Sequence, residues 1–315
     1  MLLRGRPGVR DLLLGAIALG VLLGVHAVLP DKAFADFVIR GAAMALFATS
    51  LNLLVGGTGL VSFGHGMFYG LGAYAFALLM QMTSLPMPLA LLGALLIVAV
   101  TALVIGAICI RLRTIYFAFV TLAMQMLLHS IVISAVGLTG GDQGLQGGIP
   151  RRVVFGANLG QQGTLYAVAA TTMVVGLLLM RHVTRSPLGA SMRMVRDNET
   201  RAAFLGIVIW RVKLTAFVIA AVFAGLGGAV IALFVSGAYP ELIDWPITGQ
   251  AIFAIMLGGT HSFLGPLAGV VILQVLNDVT TRLTEYYGLV LGLVILLFAV
   301  GLRRGVLDVV LRRAR

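Results

Sequence analysis

Charge is what this chain has least of. Only 10% of its 315 residues are Asp, Glu, Lys or Arg, against about a quarter in soluble domains. Lysine occurs twice, as Lys32 and Lys213, and neither follows glycine, so no Gly-x-x-x-x-Gly-Lys-[Ser/Thr] loop exists to cradle a nucleotide phosphate. No His-Glu-x-x-His and no Gly-x-Ser-x-Gly is present, which removes the commonest metallohydrolase and serine-hydrolase signatures. Cys109 is the single cysteine and sits in an apolar run, so an intrachain disulfide is impossible. Acidic residues number 11 against 22 basic ones. The formal charge of +11 does not imply nucleic acid, because most of the arginines flank apolar runs, as cytoplasmic anchors do.

What fills the space left by charge is hydrocarbon. The sequence is 60% hydrophobic with a mean hydropathy of +1.07. Apolar runs near 20 residues recur along its whole length. A bilayer cannot satisfy free backbone amides, and such runs lack the alternation of a lipid-facing barrel strand. The expectation is an all-α polytopic membrane protein, one domain over 1–315, with about ten transmembrane helices. Segments fall near 12–29, 37–55, 66–82, 89–110, 114–136, 163–181, 213–236, 248–258, 264–280 and 287–302. Arg4, Arg6 and Arg10 precede the first run, whose length exceeds the core of a signal peptide and favours a retained helix over a cleaved leader.

With the N-terminus inside, inner segments hold Arg4, Arg6, Arg10, Arg111, Arg113, Arg181, Arg185, Arg193, Arg196, Arg201, Arg211, Lys213, Arg303, Arg304, Arg312, Arg313 and Arg315. The outer side keeps Lys32, Arg40, Arg151, Arg152 and Arg282. That asymmetry places both termini in the cytoplasm. An outer loop is then expected at about 137–162 and an inner one at about 182–212.

Two stretches interrupt the pattern. Gly56-Gly57-Thr58 followed by Ser62-Phe63-Gly64 is echoed by Gly258-Gly259-Thr260 followed by Ser262-Phe263 and Gly265-Pro266. They read either as an internal repeat with broken helices facing a pathway or as glycines that only let helices pack closely. Ion coupling would need buried titratable groups; the candidates are His65, His129, His261 and Asp278, the last near a helix end where a carboxylate can snorkel.

The one long polar island is Arg185 to Lys213. Ser186-Pro187 suits a helix start and Gly206 a stop. Between them Leu188, Met192, Val195, Ala202 and Leu205 recur at three- and four-residue spacing, interrupted by Glu199, with Arg193, Arg196, Asp197 and Arg201 elsewhere. That pattern is an amphipathic helix lying off the membrane. It suits either a surface helix on anionic lipid or a helix seated in a groove of a soluble partner. The acidic interruptions and the Ala- and Met-rich apolar side favour the partner.

Leu60-Val61-Ser62-Phe63-Gly64-His65-Gly66-Met67-Phe68-Tyr69-Gly70-Leu71-Gly72-Ala73-Tyr74 resembles the signature of permease subunits of branched-chain amino acid ABC transporters. Arg111 to Ala118 with Thr121-Leu122, then Thr139 to Gly144, are similar to further family stretches. So are Arg196-Asp197-Asn198-Glu199 through Leu205-Gly206, Lys213 to Phe217, and Leu257-Gly258-Gly259 with Gly265-Pro266. The series runs in the expected order over roughly residues 45–275.

The resemblance implies half of a membrane pathway. It implies a homologous permease beside this chain, two cytosolic ABC ATPases beneath it, and a periplasmic substrate-binding protein, all in a bacterial inner membrane. ATP and Mg2+ would be bound by the ATPases, with no cofactor or metal on this chain. The island becomes the coupling loop, with Met192, Val195 and Ala202 as the apolar insert and Arg196, Asp197, Asn198 and Glu199 as polar contacts. Ser62, His65, Tyr69, Tyr116, Thr121 and Gln125 are candidates for the pathway, interhelical hydrogen bonding being the alternative role for each. Three positions depart from the family: Ala190 where arginine commonly follows the glycine, Thr114 where glycine is usual, and Met126 where an acidic residue is frequent. Related permeases carry urea, amides and aromatic amino acids, so the motifs do not name the substrate. A stand-alone ion-coupled carrier is the competing class, and an intramembrane enzyme the remaining one.

Overall fold

The computed structural model describes residues 7–283, apart from 29, 113, 146, 147, 151, 152, 155, 156 and 159, and scattered positions beyond 283. Among the described residues the regular structure is helical, save for an antiparallel two-residue pair of β1 (Val153–Val154) with β2 (Ala157–Asn158). More than half of the tenth expected segment, 287–302, and the basic residues Arg4, Arg6, Arg113, Arg151, Arg152, Arg303, Arg304, Arg312, Arg313 and Arg315 lie outside the described residues.

Helices α1 (Pro7–Val28), α2 (Lys32–Thr58), α3 (Gly66–Met82), α4 (Met87–Cys109) and α5 (Thr114–Ser134) follow one another. A single turn, α6 (Val136–Thr139), leads through a 3-10 turn and the β pair to α7 (Gln162–Arg185). Then come α8 (Pro187–Asp197), α9 (Glu199–Phe204), α10 (Ile209–Val235), α11 (Trp245–Gly258) and α12 (Gly265–Leu283). Six described helices, α1, α2, α4, α5, α7 and α10, are long and apolar enough to cross a membrane. α3 and α11 are apolar but have 17 and 14 residues, so at 1.5 Å per residue they reach only about 25 and 21 Å of a roughly 30 Å hydrocarbon layer.

α2 and α10 form the centre. Their buried runs, Ala42 to Leu54 and Ala216 to Leu233, pack on each other and on α3, α4, α7 and α11. Small residues set the spacing, as expected where lipid offers helices no hydrophobic drive to associate. A β-carbon on Gly72 of α3 would sit 2.3 Å from the Gly225 carbonyl oxygen of α10, and one on Gly258 would sit 1.7 Å from the Gly265 oxygen. α1 stands at the edge, packed chiefly on α7.

Both short helices start inside the bundle. α2 ends at Gly59, whose φ of 76° no β-branched residue would accept. The chain then doubles back until His65 Nε2 is 3.1 Å from Ser50 Oγ, about 12 Å back along α2 at 1.5 Å per residue. From the opposite end, α10 stops at Ser236 in the left-handed region (φ 56°) and the chain descends to Ile243 before α11 begins. The two descents meet where the Gly66 amide donates to Thr248 Oγ1 at 2.8 Å. The glycine stretches matched in the sequence also come together elsewhere, at the α8–α9 end: Asn52 Nδ2 donates to the Thr260 carbonyl at 3.4 Å, and Gly56 faces that same oxygen.

Candidate functional site

The meeting point is a closed polar network. Thr248 Oγ1 receives the Gly66 N–H and donates to Gln125 Oε1 at 3.0 Å, while Gln125 Nε2 donates to the Ile243 carbonyl at 2.6 Å. One glutamine in the middle of α5 therefore stitches the starts of α3 and α11 together, and both its polar atoms are engaged. Thr121 is one helical turn away, its backbone against Gly64 and its hydroxyl donated to the Ala118 carbonyl at 2.8 Å.

The histidine has a different situation. Ser50 Oγ donates its proton to the Phe47 carbonyl at 2.7 Å, so it can only accept from His65, which fixes the Nε2–H tautomer. Nδ1 is then a lone-pair acceptor, and neither it nor Ser62 Oγ nor Thr49 Oγ1 has a hydrogen-bond partner among the described residues. Phe47 stacks on the imidazole at 5.7 Å between centroids and contacts the Tyr69 ring at 4.8 Å. Buried acceptors without donors are rare and costly, and this group of them lines one side of the break between α2 and α3.

Of the six pathway candidates read from the sequence, Ser62, His65, Thr121 and Gln125 are fully buried and Tyr69 nearly so, gathered around the first turn of α3. Tyr116 is not with them: its side chain is 65% exposed on the outer face of α5. Thr248 and Ser50 complete the cluster and were missed. A threonine in an apolar helix and a serine beside another threonine carry no periodic signal; only the tertiary approach of α11 and of the 59–65 descent gives them a role.

The island is two helices and not one. Asn198 adopts φ −165° and ψ 107°, ending α8, and its side chain then caps α9 by accepting the Arg201 amide at 2.8 Å. Ser186 caps α8 as the Ser-Pro pair suggested. The apolar face turns inward: Met192, Val195 and Ala202 are each 1% exposed, and α8 packs on α2, α7 and α10. This corrects the expectation that these three insert into a partner, because an amphipathic helix beside an apolar bundle buries its stripe there first.

Two polar contacts assigned to a partner are also internal. Arg196 Nη1 donates to the Gly56 carbonyl at the end of α2 at 2.6 Å, and its guanidinium pairs with Asp197 at 3.1 Å. Glu199 Oε1 accepts from Lys213 Nζ of α10 at 2.7 Å, with Lys213 only 7% exposed. What α9 and its exit leave outward is Phe204, Leu205, Val208 and Trp210, with Met194, Arg201 and Asp197 beside them. A surface pocket of about 600 Å3 adjoins this edge, lined by Arg111, Glu199, Ala203, Trp210 and Lys213 among others.

A bundle of long apolar helices, with two short ones meeting at its middle and a braced amphipathic element at one end, has the build of a polytopic membrane protein. The chain belongs to the family described as branched-chain amino acid transport system / permease component, which it matches over residues 33–299. It is 28% identical over 314 residues to the high-affinity branched-chain amino acid transport system permease protein LivM of Escherichia coli, covering 92% of this chain and 74% of the relative. It is 26% identical over 286 residues to the corresponding LivH protein of Salmonella typhimurium, covering 86% of this chain and 92% of that one. A 146-residue stretch is 30% identical to the ribose import permease protein RbsC of Bacillus subtilis, covering 44% and 45% of the two chains.

Proposed function

We propose that this chain is the membrane permease subunit of a bacterial ABC importer, forming half of the pathway for branched-chain or related small amino acids or amides. It sits in the inner membrane with about ten crossings and both termini in the cytoplasm, beside a homologous permease. Two cytosolic ATPases carry ATP and Mg2+ and dock on the α8–α9 end, and a periplasmic binding protein delivers substrate opposite. The observation that carries the reading is the bracing of α8 and α9. Arg196 ties α8 to the end of α2, and Glu199 ties α9 to the first turns of α10. A push on the exposed edge of α9 thus reaches the two central helices together, the arrangement a two-state bundle needs. The ATPase contact in this reading is the outward set, Phe204, Leu205, Arg201 and Asp197, in place of the buried stripe.

Substrate passes the break between α2 and α3, where His65 Nδ1 and Ser62 Oγ await a donor such as an ammonium or amide N–H. The test is purification of the solubilised chain from its own membrane. An ATPase bearing a phosphate-binding loop should co-purify in stoichiometric amount, and uptake should stop when hydrolysis is blocked. Substrate accumulation by vesicles holding this chain alone, driven by a proton or sodium gradient, would replace this reading with an ion-coupled carrier.

A further inference from the structure

A cavity of about 540 Å3 separates α1 from α2 and α12, with α7 as its back wall. Its sides are apolar, including Leu14, Ala18, Val38, Leu177, Leu267 and Val271. The one amide in the wall, Gln274, is engaged, donating to the Phe37 carbonyl at 2.8 Å. Charge is confined to one end. There Arg181 Nε lies 2.9 Å from Asp11 Oδ1 and Arg185 bonds the other carboxylate oxygen, with the Arg181 guanidinium also 5.6 Å above the Phe263 ring. Among the described residues the two guanidiniums meet one carboxylate there, with Arg10 exposed next to it, so the described charges at that end sum to a positive value.

Length and charge select the occupant. From Asp11 to Leu22, the two ends of the lining along α1, is about 16 Å at 1.5 Å per residue. That is one leaflet of a hydrocarbon core about 30 Å thick. An apolar trough of that length, walled by α1, α2, α7 and α12 and basic at one end, matches a hydrocarbon chain with an anionic head. We propose that the cavity seats one acyl chain of an anionic phospholipid, whose phosphate engages Arg181 and Arg185. A basic end between transmembrane helices is the chemistry such headgroups select. The lipid belongs to the leaflet on the α8–α9 side, cytoplasmic in the reading above, and it would fix α1 against the bundle.

The test reads lipid retention and not uptake, so it stands or falls separately from the transport reading. The intact transporter complex is released in mild detergent, supplied with phosphatidylglycerol or phosphatidylcholine of the same chains, and weighed by native mass spectrometry. The expected result is one phosphatidylglycerol retained at least about tenfold over phosphatidylcholine. Ala18→Phe, which fills the trough without touching the ion pairs, should abolish that adduct, whereas Ile17→Phe on the exposed side of α1 should leave it. Arg185→Gln should erase the preference for the anionic lipid, and Arg185→Lys should largely keep it. Equal retention of both lipids, or an adduct indifferent to Ala18→Phe, would overturn the proposal. So would cross-linking of Ala18→Cys to another polypeptide.

Discussion

Neutralising Glu199 tests whether α9 drives α10 or merely lies beside it. Lys213 is 7% exposed and its ammonium has Glu199 as its 2.7 Å acceptor. A hydrogen bond to a charged group contributes about 1.5–3 kcal/mol. The Glu199 side chain is half exposed, and solvent screening lowers that to about 1–2 kcal/mol. A loss of this size shifts the attached-to-detached ratio of α9 by about 5- to 30-fold. In the reconstituted importer, Glu199→Gln should therefore leave ATPase association and ATP hydrolysis near wild type while substrate moved per ATP falls several-fold. Lys213→Met, which keeps the apolar stem and removes the charge, should do the same with a smaller effect on thermal stability. The exchange Glu199→Lys with Lys213→Glu should recover much of the coupling. If Glu199→Gln instead strips the ATPase from the membrane, or the exchange recovers nothing, Glu199 is a docking contact and the strut does not exist.

Three further outcomes are expected. Phe204→Asp on the exposed edge of α9 should weaken ATPase co-purification at least tenfold with no change in the melting of the bundle, measured by scanning fluorimetry in detergent. Gln125→Leu removes two hydrogen bonds, leaving the Thr248 hydroxyl proton without its acceptor and the Ile243 carbonyl without its side-chain donor; with interhelical bonds contributing about 0.6 kcal/mol each and at most about 1.7, it should destabilise by about 1–3 kcal/mol in a denaturant titration. Gly72→Val should abolish monodisperse folded protein on size exclusion, because a β-carbon there meets the Gly225 backbone, while Gly249→Ala, with open space around it, should be neutral.

The class of the protein was legible before any coordinates. Hydropathy located the long apolar helices α1, α2, α4, α5, α7 and α10, because hydrocarbon imposes length and composition on any helix that crosses it, and the shorter α3 begins and ends where the 66–82 run does. The Ser186 cap and the amphipathic stripe of the island were readable for the same local reason. Direction was not readable. Periodicity says that Met192, Val195 and Ala202 share a face but not what covers it, and the bundle of this same chain covers it. Nor could it show that Asn198 splits the island: Asn favours caps but also occurs inside helices, and only its backbone angles decide which. The polar network lay further out of reach: Gly66, Gln125, Ile243 and Thr248 come from four separate elements, and only the meeting of two interrupted helices makes them one site. Sequence by itself determined a membrane-spanning bundle of arginine-flanked helices, because solvent acts on each segment independently, and its ordered motifs carried the resemblance to the permease family. Tertiary structure alone decided which polar atoms are paired, which are left open and which face of the island looks outward, because each depends on the approach of residues distant in the chain.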